Sequence, residues 1–203
     1  MSASAIKTAR KQRSARERMV ESAALLMREQ GVKSTSFSQV LRHAGAPRGS
    51  IYHHFPGGKT QLIEEATRYA GDLIAAGLAA ALREDDPIAG LEAMEIFWRS
   101  LLEQSEFAEG CPIVAAGLEG ERTPEARDAA GQVFERWQGI LVDSMEKRGI
   151  SRERARSIAA LCFAATEGGA IMARAQRSME PLEGVFDELR RALVDALEEA
   201  GVS

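Results

Sequence analysis

The chain has little of what most function classes require. Its 203 residues include two cysteines, three histidines, six prolines and only 5% aromatic residues. Cys111 and Cys162 lie in different segments, with no CxxC or Cys/His spacing, so two reduced thiols are expected rather than a disulfide or a metal site. No apolar run approaches the roughly 18 residues of a membrane span. Nor does an apolar stretch follow Lys7, Arg10, Lys11 and Arg13 to make a signal peptide. A cytoplasmic protein with no membrane partner is expected. Catalytic constellations are missing too: there is no Ser/His/Asp set, no Glu-x-x-His and no paired-carboxylate arrangement, and His43, His53 and His54 all fall in the first third of the chain. The chain is therefore not expected to be an enzyme, and no cofactor is implied.

What the chain does have is a divided charge. Residues 1 to 60 carry eleven Lys or Arg against three acids, a balance of +8; since the whole chain carries a formal −4, the remainder carries −12. A basic head on an acidic body suggests that the head meets a polyanion and the body does not, although a solvated basic arm would give the same balance.

Ala, Leu, Glu and Arg recur at spacings of three and four, and strict alternation is almost absent, so the chain is expected to be all-helical. The first helix is expected from about Arg13 to Gln30, with Met19, Ala23, Leu26, Met27 and Gln30 on one side and Gly31 ending it. Ser36-Phe37-Ser38-Gln39 fits a capping box for a short second helix that buries Phe37, Val40, Leu41 and Ala44. Gly45-Ala46-Pro47 makes a tight turn, Pro47 suits the first turn of a third helix, and Thr60 is a candidate cap for a fourth helix reaching about Leu82. Five further helices are expected at about 87 to 104, 111 to 120, 123 to 148, 151 to 177 and 181 to 200.

The stretch RGSIYHHFPGGKT, Arg48 to Thr60, admits three readings. Adjacent histidines on a helix point about 100° apart, so His53 and His54 cannot both reach one metal ion. A nucleotide phosphate loop would need glycine where His53 stands, after a strand that is absent. The third reading is a helix-turn-helix whose second helix enters the DNA major groove. On that helix Ile51 and Phe55 fall together on an inward side, and between Arg28 and Gln61 the sole carboxylate is Glu29. Gly49 would let the backbone come close, Ser50 and His53 would reach base edges, and Arg48, Tyr52, His54 and Lys59 would hold phosphates on either side. The alternative is that Tyr52 and His54, the latter at the edge of the inward side, simply complete a small helical core.

TSFSQVLRHAGAPRGSIYHHF, followed by K-x-x-L at Lys59 to Leu62, resembles the DNA-binding head of the TetR family of transcriptional regulators over residues 13 to 65. The resemblance implies DNA contacts at Ser36, Arg48, Gly49, Ser50, Tyr52, His53, His54 and Lys59. Pro47 replaces the family's common capping Ser or Thr, and Gly57-Gly58 lengthens the following loop by one residue. That loop and GCPIVAAGLEG at Gly110 to Gly120 are similar to the LmrA/YxaF branch of repressors, which control drug-efflux genes.

The implied organisation is an N-terminal arm and three-helix DNA-binding domain, residues 1–58, joined to a helical ligand-binding and dimerisation bundle, residues 59–203. The small residues of CFAATEGGAIM, Cys162 to Met172, and the stripe Val185, Leu189, Leu193, Leu197 would pair across a two-fold axis, or pack within one chain. Phe97, Trp98, Leu101, Phe107, Ile113, Phe134, Trp137, Leu141 and Met145 are candidate lining for a small hydrophobic effector, with Glu167 fixing a polar group; aromatics at helical spacing also suit plain core. The expected function is a homodimeric repressor on a palindromic operator; a constitutive architectural DNA-binding protein is the rival reading.

Overall fold

A computed structural model describes residues 13–47, 49, 51–82, 85–119 and 123–201. Every regular element among them is a helix: α1 (Ala15–Ser34), α2 (Phe37–Ala44), α3 (Ile51–His54), α4 (Gly58–Ala81), α5 (Pro87–Gln104), α6 (Pro112–Gly117), α7 (Pro124–Lys147), α8 (Arg152–Gln176) and α9 (Glu180–Glu199). The chain forms two compact units. One comprises Met1–Gly71 with Pro112–Ala130, the other Asp72–Cys111 with Gly131–Ser203, so α4 and α7 each contribute residues to both.

In the first unit, α1 begins with a reciprocal cap: the Glu17 N–H donates to Ser14 Oγ at 3.2 Å and the Ser14 N–H to Glu17 Oε2 at 2.7 Å. Met19, Ala23, Leu26 and Met27 are buried as the spacing predicts, whereas Gln30 is exposed. Gly31 breaks the helix with φ 78°, and one further turn follows before the Thr35 N–H closes on Val32 O. Ser36 and Gln39 form the expected capping box of α2. Its end is a Schellman closure on Gly45, φ 61°, where the Ala46 N–H reaches Leu41 O at 3.0 Å. Val40, Leu41, Ile51, Phe55, Leu62 and Ile63 form a common apolar interior with the buried side of α1, and α6 packs on α1 through buried Ile113 and Ala116.

Two boundaries differ from expectation. The regular part of the third helix is four residues long, and Pro47 precedes it. Thr60 lies inside α4, which starts at Gly58; the side-chain oxygen of Gln61 accepts the Gly57 N–H at 2.9 Å and so does the capping from within. Downstream, α5 starts at Pro87, capped by Asp86, and α7 starts at Pro124, as the proline positions predict.

In the second unit, α9 packs on both α8 and α5. A Cβ on Gly169 would sit 2.9 Å from Leu182 Cδ1, so glycine is what lets α9 approach α8 this closely. Leu182, Phe186, Leu189, Leu193 and Ala196 form the buried stripe of α9. This corrects the expected intersubunit stripe: Leu189 and Leu193 fill the core of their own chain because they share a face with Leu182 and Phe186. The outward face of α8 carries Leu161, Ala164, Ala165, Gly168, Ile171 and Met172. Helix α8 is also long and apolar enough, by length and composition, to cross a membrane, but 44% of its most apolar window is buried within the chain.

Phe55 is fully buried with the Arg16 guanidinium carbon 5.2 Å from its ring centroid. Phe55→Ala is therefore expected to destabilise the protein by about 3–5 kcal/mol, measured as a shift in the urea midpoint of helical circular dichroism.

Candidate nucleic-acid interface

The candidate surface is built on α3, and helical geometry sorts its residues. Ile51 and Phe55 are 1% and 0% exposed, while Tyr52 is 70% exposed and Gly49 and His53 also face outward. Tyr52 is not adrift: its ring meets Phe37 of α2 edge-on at 5.7 Å between centroids. His54 is half-buried, between the His53 ring at 5.3 Å and the Phe55 ring at 6.5 Å. Arg48 and Ser50 lie outside the described residues.

Ser36 is exposed at the start of α2, where its hydroxyl accepts the Gln39 N–H and donates to Gln39 Oε1 at 2.7 Å. Gln39 in turn donates to Gln30 Oε1 at 3.3 Å, so a polar chain runs from α1 to the α2 cap. Lys59, at the start of α4, donates to Lys33 O at 3.2 Å. Partial burial pushes its ammonium below the ordinary lysine value, and Glu119 pulls it back up.

Two arginines that no motif singled out hold this arrangement. Arg18 Nε donates to Ala44 O at 3.1 Å, at the end of α2, while its Nη1 donates to Arg13 O at 2.8 Å. Arg16 lies over Phe55 and pairs with Glu65 of α4 at 2.6 Å. The signal available in the sequence was weak: i, i+2 arginines on a helix have no spacing rule that separates an anchor from a solvated charge.

The ten candidate effector residues divide between the units. Ile113 belongs to the first, in α6; the other nine belong to the second. There, Trp98, Trp137, Leu141 and Met145 are buried, Leu101, Phe107, Phe134 and Glu167 are half-buried, and Phe97 is exposed. Phe134, Trp137 and Phe163 form a chain of ring contacts at 5.5 and 5.6 Å, and Phe163 was absent from the sequence expectation. Leu141 and Met145 line an apolar void of about 10 Å³ with Leu91, Ile158, Cys162 and Leu193, which is room for one water at most. Burial pushes the Glu167 carboxyl up to about 7, and a hydrogen bond from the Cys111 thiol opposes that rise. Burial also pushes the Cys162 thiol up to about 11.

The chain matches two family models. Residues 20–66 match the bacterial regulatory proteins of the tetR family, and residues 87–188 match the C-terminal domain of LmrA/YxaF-like transcriptional regulators. It is 41% identical over 193 residues to an HTH-type transcriptional regulator of Mycobacterium tuberculosis, covering 91% of this chain and 96% of the relative. It is 29% identical to the HTH-type transcriptional regulator LmrA of Bacillus subtilis, covering 82% and 90%. The fold is also similar to a crystal structure of a TetR transcriptional regulator from Chloroflexus aurantiacus, with TM-score 0.72, 28% identity, and 89% and 94% of the two chains covered.

The carboxyl of Glu167 supplies a pH-dependent prediction. Its folded value lies above its unfolded one, so the folded state holds the extra proton, and stability falls as pH rises from the unfolded value towards about 7. Glu167→Gln is expected to match the wild type near pH 4 and to exceed its stability by ~1–2 kcal/mol at pH 8, as read from urea unfolding at both pH values.

Proposed function

We propose, from the premise that the chain belongs to the TetR family of bacterial regulatory proteins in its LmrA/YxaF-like branch, that this DNA-binding transcriptional regulator is a cytoplasmic homodimeric repressor released from a palindromic operator by a small hydrophobic or aromatic effector. It is not an enzyme; its relatives are transcriptional regulators.

One observation carries the reading: the face of α3 opposite Ile51 and Phe55 presents Gly49, Tyr52 and His53 to solvent, in a segment whose sole carboxylate is Glu29. Among the described residues, nothing packs against position 49. An added Cβ there would meet no described atom within 4 Å, and its φ lies outside the left-handed region, so the space beside position 49 is open to a partner. A DNA backbone pressed against the helix uses that space. Gly49 then lets the backbone come close, Ser50 and His53 approach base edges, and Arg48, Tyr52 and His54 of residues 1–58, with Lys59 just beyond them, hold phosphates, while Ser36 makes a further DNA contact. For Lys59 this exchanges one acceptor, Lys33 O, for another, a phosphate oxygen.

Residues 59–203 supply pairing and sensing. The stripe Leu161, Ala164, Ala165, Gly168, Ile171 and Met172 recurs at helical spacing on the outside of α8, and Leu161, Ile171 and Met172 are 49%, 54% and 45% exposed. Beside it runs a groove lined by Pro181, Gly184, Val185 and Glu188 of α9. Two copies of this helix pair, apposed across a two-fold axis, bury both stripes and hold two α3 helices about 34 Å apart, one DNA turn. The effector enters among Phe97, Trp98, Leu101, Phe107, Phe134, Trp137, Leu141, Met145 and Glu167, all of the second unit. It favours an arrangement with the wrong head spacing, and a coupling of about 1–3 kcal/mol weakens operator binding roughly 5- to 150-fold.

The reading is tested by selecting duplexes from a random pool with the intact protein. Tyr52→Ala and Lys59→Ala are expected to weaken binding to all sequences and to reduce the salt slope by about 1 each. Replacing Ser50 or His53 should change base preference, and Gly49→Ala should weaken binding while leaving the unfolding midpoint within ±0.5 kcal/mol. A preference for no duplex, or a monomer at micromolar concentration, contradicts the repressor model.

A further inference from the structure

The start of α4 is set by a side chain that belongs to the helix itself. The chain leaves α3 through Phe55-Pro56-Gly57-Gly58, where the Gly58 N–H donates to Phe55 O at 2.9 Å and Gly58 takes φ 73°. The first N–H groups of a helix have no backbone partner and need one from elsewhere. Here the Gly57 N–H, just ahead of α4, is met by Gln61 Oε1 at 2.9 Å. A Cβ on Gly57 would stand 3.1 Å from both Cβ and Oε1 of Gln61, so glycine is what lets the amide close on the backbone.

Gln61 is not free to turn. Its Nε2 donates to Glu65 Oε1 at 3.0 Å, one turn further along α4, and the same oxygen receives Arg16 Nη2 of α1 at 2.6 Å. An ionised carboxylate only accepts, so the Gln61 nitrogen faces Glu65 and its oxygen faces Gly57; the reversed amide would set N–H against N–H at one end and oxygen against oxygen at the other. Arg16 also lies over the Phe55 ring, 5.2 Å from its centroid. A continuous chain of bonds therefore runs from α1 through Glu65 and Gln61 to the corner after α3. All of it lies in the first unit.

This chain decides where Lys59 stands. Because α4 begins at Gly58, Lys59 is already a helical residue, with its ammonium on Lys33 O at 3.2 Å. We propose that Gln61 is a positioning residue for DNA binding: it touches no DNA itself, and by holding Gly57 it keeps Lys59 inside α4, where the ammonium passes from Lys33 O to a phosphate. The proposal rests on the phosphate contact assigned to Lys59 above. Without the amide, the Gly57 N–H returns to water and the first turn frays back to Thr60, whose hydroxyl is the next group able to cap the helix. Lys59 then hangs from a glycine corner, and the entropy of ordering it is added to every encounter with a duplex.

The test uses the full-length protein, the operator fragment it selects and a scrambled duplex of the same length. Gln61→Ala is expected to weaken binding to both duplexes by the same factor, about threefold or more, and to lower the salt slope as Lys59→Ala does. The double variant Gln61→Ala/Lys59→Ala is expected to bind within about twofold of Lys59→Ala alone, since a residue that acts through another adds nothing once that other is gone. The exchange Gln61→Glu/Glu65→Gln keeps an acceptor at Gly57, a donor between the two side chains and the net charge, and is expected to restore affinity to within about twofold of wild type. Amide exchange over residues 57–61 should speed up in Gln61→Ala and slow again in the exchange variant. Gln61→Asn, one methylene too short to span both partners, carries the test if Gln61→Ala does not fold. Wild-type affinity in Gln61→Ala overturns the proposal, as does an exchange variant as weak as Gln61→Ala. A loss that multiplies with that of Lys59→Ala also overturns it, because Gln61 would then be a contact of its own or a support of the whole domain. Lys59→Ala with wild-type affinity and salt slope overturns the phosphate reading itself, and is measured before Gln61 is changed.

Discussion

The burial of Ile51 and Phe55 is the constraint on which the rest of the head depends. A four-residue helix makes too few internal hydrogen bonds to offset the entropy of its own nucleation, so α3 has no independent existence in water. Its direction comes entirely from what holds it. Ile51 and Phe55 fix it from below, the Gly45 closure fixes the chain entering it, and Tyr52 leans on Phe37 from the side. Arg16 adds a charged contact to the Phe55 ring while bound to Glu65, so the end of α3 and the first turns of α4 share one anchor. Everything on the outward face is thereby placed by residues that face inward, and a substitution in the interior moves the outward face without touching it.

The body uses a different device. Helix α9 comes close to α8 because Gly169 has no side chain, and the stripe from Leu182 to Ala196 fills the seam. Closing that seam within one chain leaves the other face of α8 apolar and uncovered. Intramolecular packing and the proposed pairing of two copies would therefore share one helix, with glycine and alanine arranged so that each side admits a close neighbour. The arginines between α5 and α9 are of smaller consequence: Arg99 and Arg190 bind carboxylates of both helices at 2.9 to 3.7 Å, but at roughly 40% side-chain exposure such pairs contribute only ~0.2–1 kcal/mol each.

Much of this was legible in the residues, and the failures have physical causes. Capping signals confined to three or four residues read well: Ser36 with Gln39, Pro87 and Pro124 mark the elements they predict. The period of α3 identified its two anchors. Thr60 misled because Gly57-Gly58 admits an earlier start, and the cap came from a side chain four residues inside the helix, which a search for N-caps does not consider. Leu189 and Leu193 misled because an apolar stripe states that a face is buried and not by whom. Glu106 and Phe107 take left-handed φ of 50° and 64° with no glycine to announce them, and Arg174, which donates to Phe107 O, stands 67 residues away. Ile113 was grouped with the body aromatics by hydrophobicity, although its helix, α6, packs on α1. Fold class depends on local periodicity and was recoverable; which of the body's aromatics touch one another depends on non-local packing and was recoverable only as a composition.

That non-local packing bears on how the proposed sensing would work. Phe134, Trp137 and Phe163 are in ring contact in sequence, and the void lined by Leu141 and Met145 holds about 10 Å³, against the ~300 Å³ or more that a drug-sized ligand occupies. An effector binding there has to separate rings that now touch. Part of its affinity is consequently spent on opening the body, and that part is the differential affinity between closed and open states. A ligand that fitted a ready-made cavity equally well in both states would bind tightly and shift nothing. A filled core is thus compatible with a sensor, and it makes occupation of the site and rearrangement of the helices around it a single event.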